Sequence, residues 1–115
     1  MRSLSKRAVF LMASALVLLS CKEKKTTAIK TLLEDPARFD GRVVVIAGEV
    51  EGSIGALGFG AYRVRDATGV LPVISQGGGA PTRGAKIGVE GTFRAAYTLG
   101  TESAAVLIEK QRYTP

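Results

Sequence analysis

Apolar residues change their spacing twice along this chain of 115 residues. Residues 8–20 form an almost continuous apolar run. In the next segment, Ile29, Leu32 and Leu33 are spaced to share one face of a helix. From residue 42 onward, apolar and polar residues alternate, which is typical of strands with one buried face. The pattern therefore predicts an apolar N-terminal segment, one short helix and a mainly β domain.

The apolar run has the layout of a secretory signal peptide. Its 13 residues are fewer than the roughly 20 that a membrane-spanning helix needs. A buried core helix is the alternative, but no polar stripe interrupts the run at helical spacing. We therefore expect residues 1–20 to be a cleaved signal peptide. Three basic residues precede the run, as in such signals: Arg2, Lys6 and Arg7.

Two segments of the β-rich part repeat one pattern at an offset of 43 residues. Each begins with a turn glycine and places a second glycine, Gly48 or Gly91, on the apolar side of a strand. Such a glycine marks a bend, a bulge or a close backbone approach. Long bent strands are what a small closed barrel requires. Because the intervening segments differ, we interpret the pattern as structural analogy and not as a tandem repeat. The two segments are Gly41-x-x-Val44-x-Ile46-x-Gly48-x-Val50 and Gly84-x-x-Ile87-x-Val89-x-Gly91-x-Phe93.

The remaining elements follow from turn and alternation signals. A helix is expected over residues 26–33, capped by Thr26 or Thr27 and ended by Asp35 before a proline. A tight turn over residues 66–69 uses the Asp66 side chain as acceptor and Gly69 for its permissive backbone. The other expected strands are 61–65, 70–75 and about 104–112, which makes five in all with the two repeated segments. A glycine-rich loop covers residues 76–83.

The domain resembles the OB-fold, in particular the small bacterial OB-domain proteins grouped with the anticodon-binding-like, nucleic-acid-binding family. The resemblance implies a five-stranded β-barrel with one N-terminal α-helix over residues 26–115. Many OB-folds have a helix between the third and fourth strands, where this chain has the glycine-rich loop. We therefore expect the N-terminal helix to cover one end of the barrel instead. The motifs that carry the resemblance are Leu32-Leu33-x-Asp35-Pro36, Tyr62-x-Val64-x-Asp66-x-x-Gly69 and the two repeated segments.

The only cysteine, Cys21, directly follows the apolar run. Leu18-Leu19-Ser20-Cys21 resembles the lipobox of bacterial lipoproteins. This resemblance implies a diacylglyceryl group on Cys21, cleavage before it and acylation of the new amino terminus, for example with palmitate. More than one acyl chain gives stable membrane attachment, and residues 21–25 would be the lipidated tether. A plain signal peptide cut nearby is the alternative. Lys22, where an aspartate signals inner-membrane retention in enteric bacteria, favours the outer membrane facing the periplasm.

Net charge gives little support to nucleic-acid binding. The whole chain carries +6, but residues 21–115 hold 13 basic and 10 acidic residues, and residues 26–115 stand near +1. A nucleic-acid-binding domain is expected to carry a distinct basic surface. The basic character therefore belongs mainly to the targeting segment and the tether.

Catalysis and cofactor binding are not expected. The chain contains no histidine, and its one cysteine is assigned to the lipid. Zinc and other soft metals thus have almost no ligands, and the carboxylates show no hydrolytic pairing. The glycine-rich stretches 55–60 and 77–84 match neither a dinucleotide fingerprint nor a P-loop. Both are expected to be mobile loops.

The best candidate binding surface is the outer side of the second and third strands, because OB-folds bind ligands there. If Tyr62 and Val64 point inward, Arg63 and Arg65 point outward beside Ile74. The alternative, which we favour, is that Glu49 and Glu51 on the preceding strand pair with these arginines. The candidate ligand-binding residues are Arg63, Arg65, Ile74, Arg94 and Tyr97.

Three functions remain open. The first is a non-catalytic envelope lipoprotein that binds protein, peptide or glycan through its OB-fold domain. The second is single-stranded nucleic-acid binding, for which the chain offers few aromatic platforms. The third is a haemless relative of the cytochrome c maturation chaperone, an envelope OB-domain whose covalent haem capture uses a histidine that this chain lacks.

Overall fold

The computed structural model describes residues 25–56, 59–77, 79–99 and 101–115. The expected signal peptide, Cys21 and most of the expected tether lie outside the described residues. Within these ranges, two short helices, α1 and α2, precede five strands. Their bounds are α1 Ile29–Glu34, α2 Pro36–Phe39, β1 Val43–Ala56, β2 Phe59–Arg65, β3 Val70–Ser75, β4 Lys86–Leu99 and β5 Glu102–Tyr113.

The five strands close into a ring in the order β1-β2-β3-β5-β4, with β4 paired to β1 again. All pairings are antiparallel except that of β3 with β5. The repeated segments form the first halves of β1 and β4, each of 14 residues. Residues 55–56 and 59–60, which were expected in a mobile loop, belong to β1 and β2 instead. Strand β1 pairs through its first half with β4 and through its second half with β2. This exchange of partners allows two long strands to close a sheet of only five.

The glycines of the repeated pattern have matching structural roles. Gly41 and Gly84, which precede β1 and β4, both have a positive φ, 79° and 89°. A Cβ on Gly48 would overlap the carbonyl oxygen of Arg65, and a Cβ on Gly91 would overlap that of Ile108. Both inward glycines thus mark a close approach of two strands, which confirms the prediction from the pattern.

The core lies inside the closed sheet and beneath α1. Ile29 and Leu32 of α1 are fully buried in the same cluster as Tyr62, Val64 and Phe93. The N-terminal helix therefore covers an end of the sheet, as expected for a chain without a helix between β3 and β4. Leu33, predicted to share the buried face, is 43% exposed. Of the six residues of α1, Ile29 and Leu32 are the buried ones that pack it against the core.

The N-terminus of α1 is capped by a distant turn and not by a neighbouring threonine. Ala28 holds the N-cap position without a side-chain hydrogen bond, so the prediction of Thr26 or Thr27 was wrong. Instead, the Ile29 N–H donates to Asp66 Oδ2 at 2.9 Å, and the Lys30 N–H donates to Thr68 Oγ1 at 3.0 Å. The turn between β2 and β3 thereby supplies two acceptors that a helix terminus needs.

Asp66 also organises its own turn. Its Oδ1 accepts hydrogen bonds from the N–H groups of Thr68 and Gly69, at 2.7 Å and 3.0 Å. Gly69 is not among the glycines with positive φ; a Cβ there would lie 3.2 Å from Ile29 Cγ2. Gly69 therefore serves close packing of α1, and not the permissive backbone that we expected. Although burial opposes ionisation, these hydrogen bonds lower the pKa of Asp66 below its ordinary value of 3.8.

Replacing Asp66 should uncouple α1 from the turn. We expect Asp66→Ala to lower the free energy of unfolding by about 1–2 kcal/mol, the usual cost of losing a helix cap. Because the folded state lowers the pKa of this carboxyl, its contribution is complete above the ordinary value of 3.8 and is lost as the pH falls further. Urea unfolding at pH 7 and at low pH should show the difference between the two proteins shrinking in acid.

Glu34→Gln is the matched control. Glu34 is an exposed carboxylate on the same helix. An equal loss of stability in this variant would assign the effect of Asp66 to general charge and not to the cap.

Candidate functional site

The outer surface of β1 and β2 carries a cluster of charges set by a β-bulge. Val50 pairs with Val64 and Gly52 pairs with Arg63, which leaves Glu51 as an extra residue without a partner in the register. Its carboxylate lies 2.7 Å from Arg65 Nε and 4.0 Å from Arg63 Nε. Both arginines are exposed while Tyr62 and Val64 are buried, so the predicted inward and outward positions on β2 are confirmed.

The predicted pairing of acidic residues with the arginines holds for one of the two glutamates. Within the described residues, Glu49 makes no ion pair. It lines a shallow pocket of about 220 Å³ beside Glu51 and Arg65. Arg83, from the turn before β4, also lines the pocket. The pocket is thus a surface of mixed charge that reaches from β2 to the start of β4.

The other three candidate residues do not join this surface. Ile74 pairs with Ala61 and Ile108 and is only 4% exposed, so it offers almost no area to a ligand. Arg94 and Tyr97 lie in the second half of β4, which pairs with β5. They come after Thr92, the last residue of β4 that pairs with β1. Strand β1 lies between their strand and β2 in the ring. The structure therefore brings Arg63 and Arg65 together and places Ile74, Arg94 and Tyr97 elsewhere.

A second polar cluster, which the sequence analysis missed, lies inside the sheet where β3 ends. Glu109 accepts hydrogen bonds from the Tyr62 hydroxyl and from Arg112 Nε, the latter at 2.7 Å. Arg112 Nη2 also donates to Ser75 Oγ at 3.3 Å. Tyr62 and Ser75 are fully buried. Burial, together with the bond to Glu109, raises the pKa of Tyr62 above its ordinary value of 10.0.

A bulge in β5 explains why this cluster was not predicted. Residues three apart in a regular strand point to opposite faces. Here Glu109 pairs with Gly91 and Gln111 pairs with Glu90, so Lys110 is the extra residue. Directly opposed residues share a face. Glu109 and Arg112 therefore both point into the sheet, opposite Gly91 and Val89.

The glycine-rich loop is fastened to this cluster. The Gly79 carbonyl oxygen accepts hydrogen bonds from Arg112 Nη2 and from Ser75 Oγ, the latter at 3.1 Å. Ser53 Oγ donates to the Pro81 carbonyl oxygen at 3.2 Å. These contacts attach the loop across the end of β3. They argue against the default expectation of a mobile loop for residues 79–81.

The described part of the chain holds no group of three or more acidic, cysteine or histidine residues that could bind a metal ion. Among residues 25–115 as described, no helix has the length and apolar character needed to cross a membrane.

Several solved structures are similar in fold to this chain. One is described as an aspartyl-tRNA synthetase from Leishmania major Friedlin; it has 15% identity and a TM-score of 0.63, over 81% of this chain and 21% of that one. Another is asparaginyl-tRNA synthetase from Pyrococcus horikoshii in complex with asparaginyl-adenylate, with 18% identity and a TM-score of 0.56 over 81% and 22%. A third is OBody AM3L09 bound to hen egg-white lysozyme, with 16% identity and a TM-score of 0.59 over 79% and 95%.

These similarities establish the fold. The chain has an OB-fold, as predicted, and it spans about a fifth of the length of the two synthetases. Identities of 15–18% carry no further statement about activity. No family model matches the sequence, and no curated protein is similar enough in sequence to count as a relative.

Proposed function

We propose that the protein is a lipid-anchored module of the bacterial cell envelope that binds a protein partner without catalysis. Cys21 would carry the lipid, and the outer surface of β1 and β2 would receive the partner. The observation that carries the binding proposal is the exposed cluster of Arg63, Arg65 and Glu51 beside the pocket lined by Glu49 and Arg83.

The mixed charge of this surface favours a protein over a nucleic acid. A single-stranded nucleic acid needs a positive groove with aromatic side chains on which bases stack. Here Glu49 and Glu51 lie among the arginines. Tyr62, the aromatic side chain that the structure describes on β2, is fully buried and cannot stack on a base. Protein interfaces, in contrast, commonly combine arginine with opposite charges at a polar rim.

The structural comparisons are compatible with this proposal. One similar protein is bound to hen egg-white lysozyme, and this chain covers 95% of it. An OB-fold of this size is therefore large enough to bind another protein. The similarity to tRNA synthetases supports the nucleic-acid alternative through the fold alone.

Photo-cross-linking in intact cells tests the proposed surface. A photoreactive residue at position 63 should give a discrete protein adduct, and the same residue at position 94 should give none. Additional replacement of Arg65 by Ala should remove the adduct. The melting temperature should hardly change, because exposed ion pairs contribute only about 0–1 kcal/mol.

The matched control replaces Arg94 and Lys110, two exposed cations away from the pocket, by Ala. This variant should keep the adduct. An adduct that nuclease digests would favour nucleic-acid binding. Equal adducts from positions 63 and 94, or a loss of stability with the adduct intact after Arg65→Ala, would contradict the proposed surface.

A further inference from the structure

We propose that residues 27–45, here called the N-terminal surface, dock onto the membrane and that Leu33 and Val43 insert among the lipid headgroups. This inference rests on the proposed lipid anchor and adds the orientation of the domain to it. The N-terminal surface comprises the segment before α1, both helices and the start of β1.

The length of the tether places this surface near the lipid. The Thr27 N–H donates to the Val45 carbonyl oxygen at 2.7 Å, which fastens the chain to β1. Five residues, 22–26, separate Cys21 from this point. A fully extended chain spans about 3.5 Å per residue, so the anchor lies within roughly 20 Å of Thr27. A domain held this closely keeps the side around Thr27 toward the bilayer.

The exposed apolar side chains occupy the same segment. Among the described residues, Leu33 and Val43 are the exposed large hydrophobics, at 43% and 51%. Scattered exposed apolar residues are normal. However, both of these lie between Thr27 and Val45, the part of the chain that the tether brings to the lipid. Their positions fit shallow insertion at the headgroup boundary.

The charges of the tether and the N-terminal surface together add a modest preference for anionic lipids. The N-terminal surface itself is balanced, with three basic and three acidic residues, so the excess of two positive charges over residues 22–45 comes from the tether. Cations next to an inserted apolar side chain can reach lipid phosphates while their alkyl stems stay on the apolar surface. Because the anchor holds the domain at high effective concentration, weak insertion is enough to orient it. The exposed cations of the described segment are Lys25, Lys30, Arg38 and Arg42.

This orientation leaves the remaining surfaces accessible. The turn 66–69, which caps α1, lies at the membrane side. The polar cluster around Ser75 lies at the opposite end of β3 and faces away from the lipid. On the outer surface of β1 and β2, Arg65 directly precedes this turn, so a partner would approach from the side of Arg63, which lies two residues further from the membrane.

Nuclear magnetic resonance on bicelles tests the docking. Residues 21–115 are coupled through Cys21 to a maleimide-headgroup lipid, in bicelles of phosphatidylcholine and phosphatidylglycerol that contain a gadolinium-chelating lipid. Amide signals of residues 27–45 should be lost to paramagnetic broadening, while those of residues 76 and 79, at the far end of β3, persist. The double variant Leu33→Gln and Val43→Thr should abolish this difference. Ala96→Ser with Ala104→Ser, a polar change at two exposed positions, should preserve it.

Two further results would overturn the proposal. If a Gly-Ser insertion after Lys25 makes the broadening uniform, the orientation comes from tether length alone. If the lipid-free chain shows concentration-dependent shifts confined to residues 27–45, the surface pairs with a second copy instead. Since the coupling is chemical, the test does not depend on lipidation in cells, so its failure is distinguishable from failure of the proposed anchor.

Discussion

Replacing Glu109 by Ala is expected to lower the free energy of unfolding by about 3 kcal/mol, the lower end of the cost of removing one member of a buried ion pair, because this pair is partly buried. The Glu109 side chain is only 11% exposed and that of Arg112 26%. The substitution leaves the guanidinium of Arg112 and the hydroxyl of Tyr62 without their shared acceptor. Stabilities of small domains are about 5–15 kcal/mol in total. Chemical unfolding should therefore show that the variant has lost a large share of its free energy of unfolding.

A double-mutant cycle with Tyr62→Phe separates the cluster from general packing. This variant keeps the buried ring and removes the hydroxyl. Tyr62→Phe alone should cost about 1 kcal/mol, and nothing once Glu109 is absent, because the hydrogen bond is already lost. Equal costs in both backgrounds would show that Tyr62 and Glu109 are not coupled. Since the pKa of Tyr62 is raised, the hydroxyl's contribution is complete below its ordinary value of 10.0 and declines above it.

Gly91→Ala and Gly48→Ala are each expected to destabilise the protein by about 3 kcal/mol, at the upper end for overpacking. Each new methyl group would overlap a carbonyl oxygen of the neighbouring strand, that of Ile108 or Arg65. A flexible side chain could move aside, but these oxygens belong to a hydrogen-bonded sheet. Thermal unfolding should show both variants melting well below the parent, and the double variant should not fold.

Gly52→Ala is the matched control on β1. A Cβ there would meet only Arg63 Nη2, at 3.6 Å, which is ordinary contact. Because alanine restricts the unfolded chain more than glycine does, this variant should be as stable as the parent or slightly more stable. Equal losses of stability at Gly52 and Gly91 would contradict the explanation that position 91 needs glycine because two strands come close together there.

Features that repeat with a local period were predictable from the sequence. Alternation located the strands and the inward side of Tyr62 and Val64. The offset of 43 residues related Gly48 to Gly91 before any contact was known. One helix was expected in the domain, and the described residues form two, because Pro36 both ends α1 and begins α2 at a position that proline favours.

Features that depend on pairing with a distant strand were not predictable. The bulges at Glu51 and Lys110 shift which residues face inward, and neither has a local signature beyond a neighbouring glycine at position 52. Alternation alone would therefore place Glu109 and Arg112 on opposite faces. The cap of α1 by Asp66 spans 37 residues, so nearby threonines appeared the better choice. Ile74 was assigned to the outer surface of the sheet from alternation alone. Alternation does not show whether other residues cover that surface.

Intact-mass analysis of the protein purified from its native cells tests the central proposal most directly. A chain that begins at Cys21, carries fatty acyl groups on that residue and sediments with the membrane fraction is the predicted result. A chain that retains residues 1–20, or one with a free thiol at Cys21 in the soluble fraction, would contradict it.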